Sequence, residues 1–157
     1  MDNMPILAVI LQSIPESIII INLAMSLIEE KVTIGEMILI ATLAAIASYI
    51  IRLQHMPFGI HSTVTILFLL IFTKVVTKKK LILLLLGLIP ALVFYGVLEL
   101  SLLPWMLKLT GLNLNYVLEN TLLRIVFPIP LYLICIIAMY ILRKTKWSIV
   151  GDFKHSL

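Results

Sequence analysis

A short polar run, Gln12-Ser13-Ile14-Pro15-Glu16-Ser17, interrupts the first long apolar segment of the sequence. Gln12 and Glu16 share one helix face because they are four residues apart. An ionisable side chain at the centre of a bilayer costs about 3 kcal/mol on insertion scales, so Glu16 should face other helices or a wet cavity. The run predicts either a polar lining for a ligand, proton or partner helix, or hydrogen bonding that only holds helices together.

The composition indicates the class of protein in which this run occurs. Of the 157 residues, 62% are hydrophobic and 13% are charged, whereas a soluble domain is about half apolar and a quarter charged. The apolar runs do not alternate with polar residues as barrel strands do. We therefore predict an all-α, polytopic protein of the cell membrane. Residues 1–147 would form one transmembrane domain and residues 148–157 a short cytoplasmic tail.

Five apolar segments are candidate transmembrane helices. They lie at residues 5–28, 34–53, 60–76, 81–103 and 121–142. The third segment is at the lower length limit for crossing about 30 Å of hydrocarbon. Thr33 and Glu36 form a capping-box pattern at the start of the second segment. Trp105 and Tyr116 indicate that the connection 104–120 lies in the membrane interface.

The distribution of basic residues predicts the orientation of the chain. With five spans, nine Lys and Arg residues fall on the side of the first and third connections and the C-terminus, and three fall on the other side. Basic residues favour the cytoplasmic side of a membrane. We therefore expect the N-terminus outside the cell and the C-terminus in the cytoplasm.

In this orientation the ionisable residues within the spans collect in the outer half of the membrane, and the inner half is nearly pure hydrocarbon. We predict that Glu16, Glu99 and Arg124 converge from three helices, because each would be costly to bury unpaired. Alternatively, Arg52 and Arg124 only reach outer headgroups, and His61 is an ordinary interfacial residue. The candidate ligand-binding residues are Gln12, Ser13, Glu16, Arg52, His61, Tyr95, Glu99 and Arg124.

Prolines are expected to interrupt two of the helices. Pro15 removes a backbone donor from the first helix, which predicts a kink there. In the fifth helix, Pro128 leaves the carbonyl of Arg124 without its helical donor, and Pro130 has the same effect on the carbonyl four residues before it. Broken helices beside charged groups are common at binding sites in membrane proteins. The break either lets the outer turn tilt and move the cytoplasmic tail, or only shapes a static surface.

Catalytic and metal-binding motifs are not found in the sequence. The three His residues have no metal-ligand spacing, and there is a single cysteine. Cys135 lies in an apolar run and is expected to be inert packing. We find no phosphate-binding loop and no nucleophile motif. We therefore expect no enzymatic activity, no cofactor, no metal site and no nucleic-acid partner.

Two stretches resemble the multi-helix membrane sensor region of Gram-positive histidine kinases that carry a GHKL-type ATPase domain. They are residues 13–17, Ser-Ile-Pro-Glu-Ser, and residues 52–61, which end in Met-Pro-Phe-Gly-Ile-His. The runs that begin at Lys108 and Arg124 are also similar. The resemblance implies a bacterial sensor domain of signal transduction, with a cytoplasmic kinase or regulator, or a second copy of the chain, as partner. Kinase activity is not implied, since no phosphoacceptor or ATP-binding region follows the last helix.

The sequence leaves functions of different classes open. One is a sensor or regulatory module in the lipid bilayer, whose outward-facing polar pocket binds a small amphipathic ligand or a peptide. The alternative is a substrate-binding or accessory subunit of a small-molecule transporter, which requires a polar path inward or a surface for a motor protein. A structural subunit of an assembly is a third reading, which would not require a buried Glu16.

Overall fold

The computed structural model describes residues 9–53, 58–145 and 147–150. For residues 9–10, 52–53, 58–63 and 118 it describes the backbone only. Within these ranges there is no strand, and the prediction of an all-α protein is confirmed there. A π-helical turn, Val9–Ser13, precedes seven α-helices. Their bounds are α1 Ile14–Leu27, α2 Ile34–Leu53, α3 Phe58–Thr77, α4 Leu81–Thr110, α5 Leu114–Glu119, α6 Thr121–Val126 and α7 Ile129–Thr145.

Three apolar stretches of the described residues are long enough to cross a membrane. They are Ile34–Ile51, Leu81–Thr110 and Thr121–Thr145, with mean hydropathies of 2.1, 2.7 and 2.5. The last stretch combines α6 with α7. Two shorter apolar helices accompany them, Leu11–Leu27 and Val64–Thr77. Their length and composition fit a helical protein that associates with a membrane.

The helix that follows the polar run, α1, is at the centre of the bundle. It packs against α2, α4 and α7. From residue 19 to residue 28, every residue except Asn22 is buried. A helix that is apolar around its whole circumference needs neighbours on all sides, and α1 has them. The polar run therefore leads directly into the most enclosed helix of the protein.

The closest approach of α1 to α4 is at Gly87. A Cβ atom at this position would lie 2.7 Å from the carbonyl oxygen of Ala24 and 3.2 Å from Cγ2 of Ile28. Helices in membranes approach closely where one of them carries a small residue. The two backbones can pack at this distance because residue 87 has no side chain.

Pro15, Pro104 and Pro128 have different effects on the helices around them. Pro15 comes two residues after the π-helical turn Val9–Ser13. Such a turn is a common way for a helix to accommodate a missing backbone hydrogen bond. Pro128 lies in the gap between α6 and α7, so the predicted interruption of the last segment is confirmed. Pro104 lies inside α4, which continues past it.

The predicted segment 81–103 is shorter than α4, which extends to Thr110. Gly111 caps the C-terminus of this helix in the left-handed conformation, with φ 67°. A proline inside a membrane helix is tolerated when neighbouring groups satisfy the freed carbonyl. Thirty residues of α-helix are about 45 Å long, which exceeds the roughly 30 Å of hydrocarbon. The last turns of α4, including Trp105, therefore have the length to extend into the interface.

Three parts of the chain meet at one end of the bundle, which we call the basic end. They are the α1–α2 connection, the α3–α4 connection and residues 147–150. Nζ of Lys79 lies 2.5 Å from Oε2 of Glu30, which links the two connections. The amide of Ile149 donates a hydrogen bond to the carbonyl of Leu27 at 2.9 Å. The residues after α7 are thereby attached to the end of α1.

Candidate ligand-binding site

The polar run borders a cavity of about 360 Å³ between α1, α2, α3 and α4. We call it the acidic cavity. Aliphatic side chains and Gly96 form the rest of its wall. Carboxylates and hydroxyls accept hydrogen bonds, so this lining is complementary to a ligand that carries donors or a positive charge. Its polar lining consists of Ser13, Glu16, Ser17, Ser48, Thr65, Tyr95 and Glu99.

Ser48 is the most informative residue of this lining. Its exposed fraction is 5%, and its hydroxyl makes no hydrogen bond to the described part of the chain. A buried polar group without a partner costs about 1–3 kcal/mol. A cavity of this volume can hold water or ligand atoms that would satisfy it. Ser48 therefore places a buried hydroxyl, without a partner in the described part of the chain, on the wall of a cavity large enough to hold one.

A pair of tyrosines connects this cavity to the π-helical turn. Tyr95 is buried, with 5% exposed, and lines the cavity. The hydroxyl of Tyr132, on α7, lies next to that of Tyr95. It also donates a hydrogen bond to the backbone carbonyl of Gln12 at 3.4 Å. The wall of the cavity is thus joined to both the π-helical turn and the first turn of α7.

A second, smaller cavity of about 100 Å³ adjoins the first at Glu99, which lines both. We call it the arginine cavity. Arg124 is only 7% exposed, and its Nε donates a hydrogen bond to Oε1 of Gln12 at 3.3 Å. This arginine is held inside the protein by the polar run. Glu99 itself is exposed, so the two cavities meet near the protein surface.

The structure brings most of the candidate residues to this region. Gln12 and Arg124 are in direct contact, and Ser13, Glu16, Tyr95 and Glu99 line the acidic cavity. The side chains of Arg52 and His61 fall outside the described residues. Glu16 and Arg124 line two cavities that share Glu99 as a wall residue.

Three residues of this site were not predicted from the sequence: Ser48, Thr65 and Tyr132. Each is an uncharged polar residue in a predominantly apolar helix, which is usual in membrane proteins and gives no signal by itself. Their position opposite the polar run depends on how the helices are rotated. Within the described residues, no group of three or more His, Cys, Asp or Glu side chains could hold a metal ion.

The basic end contains a polar network that the sequence analysis also missed. Nε of Arg143 donates to Oγ of Ser26 at 3.1 Å, and its Nη2 donates to Oδ1 of Asn22. The prediction of a nearly pure hydrocarbon half at this end took no account of Asn22 and Ser26, which bind Arg143. Asn22 and Ser26 are four residues apart and share a helix face, as Gln12 and Glu16 do, and that spacing was the available signal.

Comparisons with known proteins add no family or relative to this picture. The chain matches no protein-family model, no curated protein and no solved structure. Its function has to be inferred from the chemistry of the site.

Proposed function

We propose that this protein is a membrane-embedded sensor or regulatory module whose acidic cavity binds a small amphipathic ligand or a peptide from the outer side. The main support is the cavity itself, with Glu16, Glu99 and the hydroxyl of Ser48, which has no partner among the described residues, around about 360 Å³ of space. A pocket with an apolar wall and a few convergent polar groups is typical of ligand sites. The resemblance of the polar run to kinase sensor regions agrees with this function.

The proposal includes five transmembrane spans, formed by the segment ending in α1, by α2, α3 and α4, and by α6 with α7. In such a chain the first and third connections and the C-terminus must lie on one side. The contacts at the basic end, Lys79 with Glu30 and Ile149 with Leu27, support that arrangement. Basic residues favour the cytoplasmic side, so the basic end faces the cytoplasm and the acidic cavity opens outward.

Cysteine labelling in intact cells tests this topology. Single cysteines replace Lys78, at the basic end, and Asn115, in α5, in a Cys135→Ser background. We expect a membrane-impermeant maleimide to label position 115 in intact cells and position 78 only after permeabilisation. Labelling of both positions from the same side would contradict the five-span arrangement.

A signal could leave the site along α1. Glu16 and Asn22 are six residues apart, which is about 9 Å along the helix axis, and Asn22 accepts a hydrogen bond from Arg143 at the end of α7. A shift of α1 on ligand binding would therefore move the end of α7. The interruption at Pro128 allows α6 to move separately from α7. A ligand shifts such an equilibrium only by its differential affinity for the two states.

Packing below the cavity favours sensing over transport. Residues 19–21, 23–25, 27 and 28 of the central helix segment are buried in the apolar core. Cargo that left the acidic cavity toward the basic end would have to separate these contacts. Burial of each large aliphatic side chain contributes about 1.5–3 kcal/mol, so opening this layer would be costly. A sensor requires access from one side only.

Ligand binding is tested with the purified protein in lipid nanodiscs. Cationic amphiphiles and short basic peptides are screened by thermal shift, since the lining of two carboxyl groups and five hydroxyls suits donors. A hydrogen bond to a charged group contributes about 1.5–3 kcal/mol, so Glu99→Gln should weaken binding by about tenfold or more. Glu119→Gln, at an exposed residue of α5, is the matched control and should bind normally. Equal affinity in both variants would refute the site.

Sensing is tested separately by a distance measurement. Spin labels are placed at Lys78 and Lys144, two exposed residues at the basic end. We expect the distance between them to change when a ligand identified in the screen is added, and to stay constant in Glu99→Gln. An unchanged distance in the liganded protein would show binding without signalling and would overturn the sensor function.

A further inference from the structure

A further cavity, of about 550 Å³, lies at the basic end, away from the acidic and arginine cavities, and the proposed function does not use it. Arg143 lines it and is held in place by its hydrogen bonds to Ser26 and Asn22. Lys31 lines the same cavity, with two carboxylates beside it. One of these, Glu30, is paired with Lys79. The lining itself carries two cations and two carboxylates, and Lys79 beside Glu30 brings the described cluster to three cations and two carboxylates, a net charge of +1.

An apolar groove of about 450 Å³ lies next to this cavity. Leu142 lines both spaces. The groove runs between α1, α4 and α7, with Pro90 and Phe94 on one wall and Trp147 near the basic end. Among the described residues, no charged side chain lines it.

The depth of the groove corresponds to one leaflet of a bilayer. Phe94 is thirteen residues from the start of α4 at Leu81, which is about 20 Å along the helix axis. Half of the hydrocarbon core of a membrane is about 15 Å thick. A cationic cavity at the membrane boundary and an apolar groove leading inward have the shape and chemistry of a phospholipid site.

We propose that one anionic phospholipid of the leaflet at the basic end binds here. Its phosphate lies against Arg143 and Lys31, and one acyl chain occupies the groove beside Phe94 and Trp147. The excess positive charge selects an anionic headgroup, and the continuous apolar groove distinguishes a lipid from free phosphate. This site lies at the opposite end of α1 from the acidic cavity and does not depend on the proposed ligand.

Fluorescence quenching by brominated lipids tests this site directly. The chain has two tryptophans, so Trp105→Phe leaves Trp147 as the sole reporter. The protein is placed in phosphatidylcholine nanodiscs that contain a small fraction of acyl-brominated phosphatidylglycerol or acyl-brominated phosphatidylcholine. One basic residue near the surface favours an anionic lipid by about fivefold, so phosphatidylglycerol should quench with at least that advantage in apparent affinity.

Matched variants distinguish the contribution of the Arg143 charge to lipid binding from that of the apolar groove. Arg143→Gln should abolish the preference for phosphatidylglycerol, and Lys144→Gln, which removes the adjacent charge, should retain it. Ala138→Phe, which fills the groove, should reduce quenching by both lipids while leaving the helical content unchanged. This second variant keeps the test valid if Arg143→Gln proves unstable.

Three outcomes would overturn the proposal. Equal quenching by the two brominated lipids would show a nonselective lipid boundary. Retention of the preference in Arg143→Gln would remove the headgroup contact. Suppression of quenching by excess inorganic phosphate would show that the cavity recognises free phosphate, without a lipid.

Discussion

The two ends of α1 carry similar polar residues with different outcomes. At the basic end, Asn22 and Ser26 both accept hydrogen bonds from Arg143. At the other end, Glu16 lines an open cavity in which the hydroxyl of Ser48 makes no hydrogen bond to the described residues. Polar side chains on this central helix hold helices together where a neighbouring helix supplies the partner, as Arg143 does at one end and Arg124 does for Gln12 at the other. Beside Glu16 the neighbouring helices also leave a cavity, which we propose to be a ligand site.

The largest effect that separates the two ends is expected at the glycines of α4. Gly87→Ala places a Cβ 2.7 Å from the carbonyl oxygen of Ala24, and overpacking of this kind costs about 1–3 kcal/mol. A Cβ at Gly96, beside the acidic cavity, would meet nothing within 4 Å. Gly96→Ala should therefore leave stability unchanged or raise it by up to about 1 kcal/mol, the difference in helix propensity.

The measurement is the free energy of unfolding of both variants in the same detergent, by denaturant titration. A large loss for Gly87→Ala with little change for Gly96→Ala would show that the basic-end half of α4 is closely packed and the cavity half is not. Equal losses at the two positions would contradict the difference between the ends.

Local signals in the sequence were sufficient for several elements of the fold. The second predicted segment, 34–53, has the same bounds as α2. The capping box is present: Thr33 N donates to Oε2 of Glu36 at 2.8 Å, and Glu36 N donates to Oγ1 of Thr33 at 3.2 Å. These features depend on neighbouring residues only. The same holds for the interruption at Pro128, which follows from a missing backbone donor.

Contacts between distant helices could not be predicted in the same way. The helices are apolar around most of their circumference, so periodicity does not show which face is inside. In the leucine-rich run Leu81–Leu86, Leu84 is fully buried while Leu81 is exposed, a difference that the residue types do not show. Asn22 and Arg143 are 121 residues apart in the chain. The rotation of each helix decides such contacts, and it is a property of the folded bundle.

A pair of serine variants sharpens the comparison of the two ends with the smallest possible change. Oγ of Ser26 accepts from Arg143 at 3.1 Å and donates to the carbonyl of Asn22 at 2.8 Å. Ser26→Ala should therefore reduce the free energy of unfolding by about 1 kcal/mol. Ser48→Ala removes a buried hydroxyl that has no partner in the described chain, so it should not reduce stability and should raise it by up to about 1 kcal/mol.

Both serine variants are then compared for ligand binding. Ser48→Ala should weaken binding of a ligand found in the thermal-shift screen, and Ser26→Ala should leave its affinity unchanged. A loss of stability in Ser48→Ala equal to that in Ser26→Ala would mean that Ser48 is part of a structural network. The acidic cavity would then lose its strongest indication of a ligand.

The smallest effect is expected at the ion pair of the basic end. Lys79 and Glu30 have side-chain exposed fractions of 21% and 20%, so water reaches both charges. Partly exposed pairs contribute about 0.2–1 kcal/mol, and salt screens them. Glu30 makes a further interaction, so Glu30→Gln alone would remove more than this pair. A double-mutant cycle of Lys79→Gln and Glu30→Gln isolates the pair and should give about 0.5 kcal/mol, falling as salt is added. Lys80→Gln, at an exposed neighbour, replaces Lys79→Gln in the control cycle and should show coupling near zero.

If the Lys79–Glu30 coupling exceeds the loss measured for Ser26→Ala, the connections hold the basic end together more strongly than the Arg143 network does. The signal path along α1 would then have to reach the α3–α4 connection through Lys79 as well.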